Sequence, residues 1–501
     1  MNSYVRAANK PVPDAHPDRL RALGLLRGLA PRSSDHCRLL ELGCGEGIQL
    51  LALGLALPES SFVGIDLDAQ AIARGKELAD ELGVKNVTLQ ARDVRDLAAS
   101  EGPFDYVIGH GLYSWVSDDV RTQLLDACRS LLAEQGLGFL SFNTLPGGYH
   151  RQMARELLQL NVGDVAAPLE RIARARAVAT DFTRALSDKD PPQSALRNEL
   201  LHVLRASDSL IALEYLGPES TAFSLRDFDA RLSRHGLRYL ADAATFDLSP
   251  AAPRWLAERL GPGAGPIDEQ QHLDYLTLRR FRQAVFCRAD ASPTGVAFER
   301  AGELAVFASV APVTKPSAGA MKFRTLAGLE LEVTNETLKL ALSELGGRWP
   351  CGVRLAELAR LVSMRTSTEV APPELARLLF VNGLGRSVFA SAESPRCTRE
   401  PGAKPLATPL ARLQARLGEP VTNQHHVHVD VEPAFNRHLL SLLDGTLDRA
   451  GLSSRMGDAI EQGTVAIAGV DPSARAQLRQ QIAREMDACL AKLARFGLIV
   501  A

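Results

Sequence analysis

Three glycines and one acid lie close together near the beginning of the chain. The stretch LLELGCGEGIQL places Glu41 two residues before Gly43, and Gly45 and Gly47 follow at alternate positions. The glycine pattern that binds dinucleotides would require a glycine at position 48, where this chain has Ile48. An acid beside the loop would repel a pyrophosphate, but it suits a ligand that carries an amine and a sulfonium. The pattern therefore favours S-adenosylmethionine, because glycines let the backbone approach the methionine tail closely.

Two further acids follow the next two strand-like runs. Asp66 lies near the end of FVGIDLD, where it could accept hydrogen bonds from ribose hydroxyls, and Asp93 in LQARDV could meet the adenine amino group. One acid at a strand end is weak evidence, because chains commonly turn there. Three acids on successive strand ends, together with the glycines, make a strong signal for the cofactor. The same site is expected to include four neighbouring residues: Cys44, Leu67, Val94 and His110.

A cluster of rings, HGLYSW at positions 110–115, follows the apolar run at positions 106–108. In a doubly wound sheet a ligand lies across the carboxyl ends of the strands. If that ligand is S-adenosylmethionine, a methyl donor, the loops after the fourth and fifth strands should receive the molecule that accepts the methyl group. Tyr113 and Trp115 are candidates to hold a cationic amine by cation–π attraction. Asn143, in the second loop, could accept a hydrogen bond from that amine. His110 has an ordinary pKa near neutral pH and is the candidate proton acceptor.

Each of these four catalytic candidates also has a plainer interpretation. Trp115 and Tyr113 could pack in the core, and Trp115 could cover the adenine. His110 could make a structural hydrogen bond, and Asn143 could belong to the turn before Pro146. No base is required if the acceptor amine arrives deprotonated.

The elements that must position these residues alternate between strand and helix patterns. This alternation predicts right-handed βαβ units and a parallel, doubly wound α/β sheet of the Rossmann-like type. We assign residues 1–150 to the cofactor-binding core and residues 236–290 to its closing strands, expected at 237–240 and 284–288. Residues 151–235 show one helical pattern after another and are interpreted as a helical insertion.

Two smaller units follow the core. Residues 291–393 contain one strand pattern at 304–313 and then three helix patterns and a strand, which is compatible with a winged helix. Residues 394–501 form a C-terminal domain with a long amphipathic helix, whose start signal is Asp471-Pro472-Ser473. The apolar stripe of that helix, which we interpret as core packing, consists of Leu478, Ile482, Met486, Leu490 and Leu493.

Bulk composition argues against several classes of protein. The chain has 501 residues and a net charge of −2, so it lacks the basic footprint of a nucleic-acid-binding protein. Its seven cysteines include no CxxC pair, which fits a reducing cytoplasm and argues against zinc ribbons and disulfide frameworks. We see no secretory signal and no apolar run long enough to span a membrane, and therefore expect a cytoplasmic protein.

The stretch NQHHVHVD at positions 423–430 raises the question of a metal site. In a strand, His426, His428 and Asp430 would share one face. No fourth ligand can be named for them, and we expect no metal.

Several longer motifs resemble one known family. They resemble class I S-adenosylmethionine-dependent methyltransferases with a methyltransferase regulatory domain, the group that includes the rickettsial-type protein lysine methyltransferases. The resemblance covers nearly the whole chain and implies a methyltransferase core, a helical middle domain and winged-helix-like α+β domains at the C-terminal end. The chain departs from the family at Phe142, at Gly148 and in the run from Leu213 to Leu216. The matching motifs are HGLYSWV, SFNTLPGG, RRFRQAVFCR, PLARLQARLGEPVTN and LLSLLDGT.

Three functions remain open from the sequence. The first is methyl transfer to a protein or peptide substrate, at a lysine or another amine. The second is methylation of a small natural product or a ribosomally made peptide, which the altered acceptor loop motivates. The third is a non-catalytic S-adenosylmethionine sensor that acts through a winged-helix interaction domain. The accessory domains could serve substrate docking, gating or formation of a homodimer.

Overall fold

A seven-stranded sheet forms the centre of the N-terminal half of the chain. The computed structural model describes residues 10–244, 254–261, 263–313, 319–325, 328–381, 387–465 and 475–501. The strands are β1 (Arg38–Leu42), β2 (Ser61–Asp66), β3 (Val87–Ala91), β4 (Phe104–Gly109), β5 (Leu132–Asn143), β6 (Leu237–Asp242) and β7 (Phe281–Arg288). Their order in the sheet is β3-β2-β1-β4-β5-β7-β6, and β7 alone runs in the direction opposite to the other six. This arrangement confirms the predicted doubly wound sheet and its closing strands, with β7 as an antiparallel exception to the predicted parallel order.

Both faces of this sheet are covered, which is why its central strands are apolar runs without a polar face. Leu39 and Phe139 pack into the core on one face, whereas Leu40 and Leu140 belong to a separate core on the other. The helices that precede, connect and cover these strands are α1 (Pro17–Leu25), α2 (Ile48–Ala56), α3 (Ala69–Leu82) and α4 (Asp118–Leu131).

A helical block is inserted between β5 and β6, as the sequence predicts. Its helices have their own apolar core, which includes Leu158, Ala175, Leu200 and Tyr215. The last short helix continues as one π turn over Ile211–Tyr215. The helices are α5 (Gly148–Val162), α6 (Pro168–Ala185), α7 (Pro191–Arg205) and α8 (Asp208–Leu210); α9 (Leu225–Arg234) then leads into β6, and α10 (Arg254–Leu260) and α11 (Pro266–Thr277) lie between β6 and β7.

The next unit confirms the three predicted helices but corrects the predicted strand at 304–313. That run is two strands that pair in different small sheets, β12-β8-β13 and β11-β10-β9. An apolar run alone does not specify its partners, because both halves would show the same pattern. The elements are β8 (Ala305–Ala308), β9 (Val310–Pro312), β10 (Met321–Thr325), β11 (Glu330–Val333), α12 (Glu336–Arg348), β12 (Val353–Arg354), α13 (Leu355–Thr366), α14 (Pro372–Val381) and β13 (Val388–Ser391).

The C-terminal domain ends in the predicted long helix. The expected start signal at 471–473 and the side chain of Leu478 lie outside the described residues, but Ile482, Met486, Leu490 and Leu493 are buried in the domain core. The domain consists of α15 (Pro409–Leu417), β14 (Val421–Thr422), β15 (His428–Val429), α16 (Ala434–Ser441), α17 (Arg449–Glu461) and α18 (Arg475–Arg495).

The histidine-rich stretch of this domain is a tight hairpin. His426 has a left-handed φ of 57° and precedes the strand, so it does not share a strand face with His428. Within the described ranges there is no cluster of three or more His, Cys, Asp or Glu side chains suited to a metal ion.

The C-terminal domain packs against the N-terminal half of the molecule. The His426 ring contacts the edge of His16 at a centroid distance of 4.6 Å, and Arg416 forms an ion pair with Glu81 of α3. None of the helices in the described part of the chain combines the length and the apolar character that crossing a membrane would require.

Candidate active site

The glycine turn after β1 is held against β2. The amides of Gly43 and Cys44 both donate to the carbonyl oxygen of Ile65, at 2.9 and 3.0 Å. Gly43, Gly45 and Gly47 all have left-handed φ values of 56–73°, which residues other than glycine rarely adopt. A methyl group added at Gly45 would meet no atom within 4 Å, so this residue borders open space. The turn can therefore accommodate a ligand directly against its backbone.

Glu41 is a buried carboxyl at the end of β1. It is 6% exposed, and burial, assisted by nearby Asp66, raises its pKa to about 8. Its Oε2 atom is buried and makes no hydrogen bond within the described part of the chain. A buried carboxylate without a partner is costly, so this site is suited to a cationic group. The ammonium of S-adenosylmethionine fits that requirement.

Asp66 links the glycine turn to the start of α3. Its Oδ2 accepts from the amide of Gly45 at 2.8 Å, and its Oδ1 accepts from the amide of Asp68 at 2.9 Å. Each carboxylate oxygen has a second lone pair, so both can still accept from ribose hydroxyls. The following residue, Leu67, is 72% exposed and offers an apolar surface beside the carboxylate.

Asp93 is fixed by its own loop. Its Oδ1 accepts from the amide of Arg95 at 2.9 Å, and its Oδ2 is paired with the Arg95 guanidinium at 2.6 Å. The hydrogen bonds from Arg95 lower the pKa of this carboxyl. Asp93 caps the short 3-10 helix Val94–Asp96, which holds Val94 next to it. We call the carboxyl ends of β1, β2 and β3, with these acids, the cofactor edge.

The loop HGLYSW is fastened to the end of β5. The amide of Gly111 donates to Ser141 Oγ, and the amide of Asn143 donates to Ser114 Oγ, both at 2.8 Å. The loop thus lies over the carboxyl ends of β4 and β5, where the sequence analysis expects the methyl acceptor. We call this region, together with the adjoining start of β7, the acceptor edge.

The two aromatic candidates in the loop have different surroundings. Tyr113 is fully buried, and its ring lies 5.2–6.2 Å from the rings of Phe142, Phe223 and Phe228. It belongs to the apolar core under the loop, which favours the packing interpretation over the predicted contact with the acceptor. The sequence did not reveal this because Phe223 and Phe228 are more than a hundred residues away. Trp115 is half-buried and remains a candidate for contact with the acceptor or the adenine.

His110 lies between two aromatic rings. Phe139 stacks on it at a centroid distance of 6.3 Å, and Phe281 contacts it edge-on at 5.8 Å. Burial, with a contribution from the positive charge of Lys10, lowers the pKa of His110 to about 4. Its buried Nδ1 makes no hydrogen bond to any described residue. The imidazole is therefore neutral at neutral pH, which suits hydrogen bonding to a ligand better than proton removal from an amine.

Asn143 belongs to a polar cluster that the sequence analysis did not find. Its Oδ1 accepts a hydrogen bond from Arg151 Nη1 at 2.7 Å, and the same Nη1 lies 2.9 Å from Glu214 Oε2. Glu199 is 1% exposed and interacts with Tyr215, whose hydroxyl donates to it at 2.7 Å. Arg151 and the more distant Arg280 thus face two carboxylates at the acceptor edge.

The charges of this cluster nearly balance. Arg280 forms an ion pair with Glu199, and Arg151 Nε lies 3.8 Å from the same carboxylate. Burial raises the pKa of Glu214, and Arg151 partly offsets that effect. The family run around Glu214 was the one sequence signal for this cluster; Glu199, inside α7, had none. A carboxylate and an amide oxygen therefore already hold a cation beside the end of β5.

Exposed apolar side chains border the acceptor edge. Phe281 stands opposite Asn143 in the β5–β7 ladder and is 38% exposed. Tyr149 is the second residue of α5, beside the same loop, and Leu278 lies where the backbone passes close to Gly147. Both are more than half exposed. The motif RRFRQAVFCR, which contains Phe281, was the available signal for this surface.

Three family models match separate parts of the chain. A methyltransferase domain matches residues 39–136, a predicted methyltransferase regulatory domain matches residues 207–288, and the model described as "PKMT, C-terminal winged helix domain" matches residues 403–498.

Two curated relatives each match about half of this chain. The protein RP028 of Rickettsia prowazekii is 31% identical over 226 residues, which are 45% of this chain and 90% of RP028. RP789 of the same organism is 29% identical over 278 residues, and the alignment spans 55% of this chain and half of RP789.

The fold has a solved counterpart over its whole length. PKMT2 from Rickettsia typhi superposes with a TM-score of 0.86 and 23% identity, over 99% of this chain and 100% of that one. The same PKMT2 has been solved in complex with AdoHcy. With the strand order, the glycine turn and the domain matches together, the chain belongs to the class I S-adenosylmethionine-dependent methyltransferases that carry a regulatory domain and a PKMT winged-helix domain.

Proposed function

We propose that the protein transfers the methyl group of S-adenosylmethionine to an amine of a protein or peptide substrate, such as the lysine ε-amine. The observation that carries this proposal is the cation site at the acceptor edge. Asn143 Oδ1 and Glu214 Oε2 both lie within 3 Å of a positively charged nitrogen of Arg151. An ammonium group of a substrate has the same needs as that guanidinium nitrogen.

The cofactor edge supplies the other half of the reaction. In this proposal Glu41 receives the ammonium of the cofactor, Asp66 the ribose hydroxyls and Asp93 the adenine amino group. Leu67 and Val94 flank the adenine, while Cys44 and the three glycines contact the methionine tail. AdoHcy, the product of such a reaction, is the ligand in the Rickettsia typhi PKMT2 complex, which supports S-adenosylmethionine as the cofactor.

The chemical step is an in-line displacement. The lone pair of the amine attacks the methyl carbon, the bond from sulfur to that carbon breaks, and its electron pair stays on sulfur. Such a step depends on orientation, with the reacting atoms about 3–3.5 Å apart. The amine must first lose a proton, although its reference pKa is about 10.4, and a desolvated site favours that loss.

The residues divide the work of deprotonation in this proposal. Glu214, whose pKa burial raises, accepts the proton of the incoming ammonium more readily than His110, whose pKa is about 4. Asn143 Oδ1 then orients the neutral amine by accepting a hydrogen bond. Neutral His110 and half-buried Trp115 line the sides of the space in which the amine meets the sulfonium.

A macromolecular substrate is supported by what surrounds the acceptor edge. The exposed side chains of Phe281, Tyr149 and Leu278 provide an apolar surface on which a polypeptide could lie. The match of residues 403–498 to a PKMT winged-helix domain points the same way.

The seven free cysteines are compatible with a cytoplasmic setting.

The test is methyl transfer into a cell extract. The full chain is incubated with extract and S-adenosylmethionine labelled in its methyl group, and labelled proteins are hydrolysed to amino acids. We expect label in discrete protein bands and in methylated lysine or another amine. Label that enters only small metabolites, or none above the level of Glu41→Gln, would overturn the protein-substrate proposal.

A further inference from the structure

Two of the seven cysteines lie with their thiols in contact. The Sγ atoms of Cys351 and Cys397 are 3.7 Å apart, with Cys397 as the donor, and the Cys351 thiol donates to the carbonyl oxygen of Cys397 at 3.2 Å. Both residues are partly exposed, whereas the other cysteines, Cys37, Cys44, Cys128, Cys287 and Cys489, are all buried.

The surroundings make Cys351 the more reactive of the two. The hydrogen bond from Cys397, with a smaller contribution from Arg399, lowers the pKa of the Cys351 thiol to about 7. Burial instead raises the pKa of Cys128, for comparison, to about 12. Cys351 also borders a surface cleft of about 470 Å³ whose lining includes Arg348 and Arg399. A small reagent can therefore reach a sulfur whose pKa is lower than that of an ordinary thiol.

We propose that Cys351 and Cys397 are a reversible redox pair, a dithiol that a low-molecular-weight disulfide oxidises to an intramolecular disulfide. This pair is separate from the methyl-transfer site and does not depend on the function proposed above.

The reaction proceeds by two thiol–disulfide exchanges. The Cys351 thiolate attacks one sulfur of the reagent RSSR, forms a mixed disulfide and releases RS⁻. The Cys397 thiolate then attacks the Cys351 sulfur, and the second RS⁻ leaves. The two protons of the protein thiols end on the two RSH products, so the chain loses two electrons and RSSR gains them.

The pair lies where the unit of residues 291–393 meets the C-terminal domain. The Trp349 indole Nε1 donates to the carbonyl oxygen of Arg495 at 2.9 Å, and its ring stacks on His425 at 4.6 Å. On the other side of the pair, the amide of Thr398 donates to Ile499 at 3.1 Å. A disulfide here would join the turn before β12 covalently to the segment that leads into the C-terminal domain.

The experiment uses the full chain in its native state with glutathione disulfide as the probe. Free thiols are counted before and after incubation, and the cross-linked peptides are identified by mass spectrometry. We expect a loss of two of the seven thiols, a single Cys351–Cys397 peptide pair, and recovery of both thiols with dithiothreitol. A thiol count that stays at seven, or a cross-link that involves another cysteine, would overturn the proposal.

Two variants test the order of attack. Cys397→Ser should stop at a glutathione adduct on Cys351, whereas Cys351→Ser should lose no thiol on the same timescale. Both replace partly exposed side chains by a similar one, and circular dichroism melting verifies that each variant is folded. An adduct on Cys397 in Cys351→Ser, formed as fast as the wild-type disulfide, would contradict the assignment of Cys351 as the attacking sulfur.

Discussion

The cofactor edge and the acceptor edge are built in different ways. At the cofactor edge the turn and its three acids lie within about fifty residues of sequence, and backbone amides hold them: Gly45 and Asp68 fix Asp66, and Arg95 fixes Asp93. At the acceptor edge the polar groups come from β5, α5, α7 and the π turn, and side-chain ion pairs hold them. The first edge is suited to one invariant ligand. The second can change with the substrate, because three of its groups, Arg151, Glu199 and Glu214, lie on an inserted block.

The largest expected effect is on cofactor binding, when Glu41 at the cofactor edge is replaced. Glu41→Gln keeps the shape but removes the charge that the cofactor ammonium requires. The dissociation constant for S-adenosylhomocysteine should rise roughly 10²–10³-fold, in line with the loss of one partner of a buried charge pair. Isothermal titration calorimetry measures it, with Glu59→Gln, at an exposed position, as the matched control. A change below threefold would remove Glu41 from the cofactor site.

The next effect should appear only at the acceptor edge. Glu214→Gln should lower kcat/KM roughly 10²-fold, as expected for loss of a proton acceptor, and leave the affinity for S-adenosylhomocysteine within about twofold. Exposed Glu219→Gln is the control in both assays. If the affinity for S-adenosylhomocysteine fell as much as kcat/KM, Glu214 would act on cofactor binding as well as on the acceptor, and the two edges would not be independent.

Tyr113 and Trp115 lie in the same loop but are expected to have different roles. Tyr113→Leu should destabilise the fold by about 2–3 kcal/mol, because the residue fills an aromatic core, and transfer at low temperature should fall little. Trp115→Leu should change the stability of the fold little and should lower the rate of transfer. Thermal melts and transfer rates on the same samples distinguish the two variants. Equal losses of stability and of transfer rate in both would indicate that both rings serve only in packing.

The smallest expected effect is a pH dependence of cofactor binding. Because burial raises the pKa of Glu41 to about 8, the carboxyl is protonated at pH 7 and must lose its proton to pair with an ammonium. Affinity should therefore rise about tenfold per pH unit up to pH 8 and then level off. The raised pKa also means that Glu41 destabilises the cofactor-free fold as pH rises through 8. Calorimetry in buffers of different ionisation enthalpy should show proton release at pH 7 that Glu41→Gln abolishes.

The two edges also differ in how far the sequence could predict them. The cofactor edge was predictable because strand ends, glycines and acids follow one another along the chain, and parallel strands bring them together. Glu199 could not be found, because nothing in a helix pattern reveals that one glutamate faces a distant arginine. The burial of Tyr113 and the division of β8 from β9 escaped for the same reason: each depends on partners that are remote in sequence.

The most direct test of the acceptor site is a structure of the full chain with S-adenosylhomocysteine and a lysine-containing substrate peptide. We expect the lysine nitrogen within about 3 Å of Asn143 Oδ1, with the Arg151 guanidinium moved away from that oxygen. The sulfur should lie between this nitrogen and the glycine turn. A complex in which Arg151 still donates to Asn143 while the amine approaches the sulfur from elsewhere would contradict it.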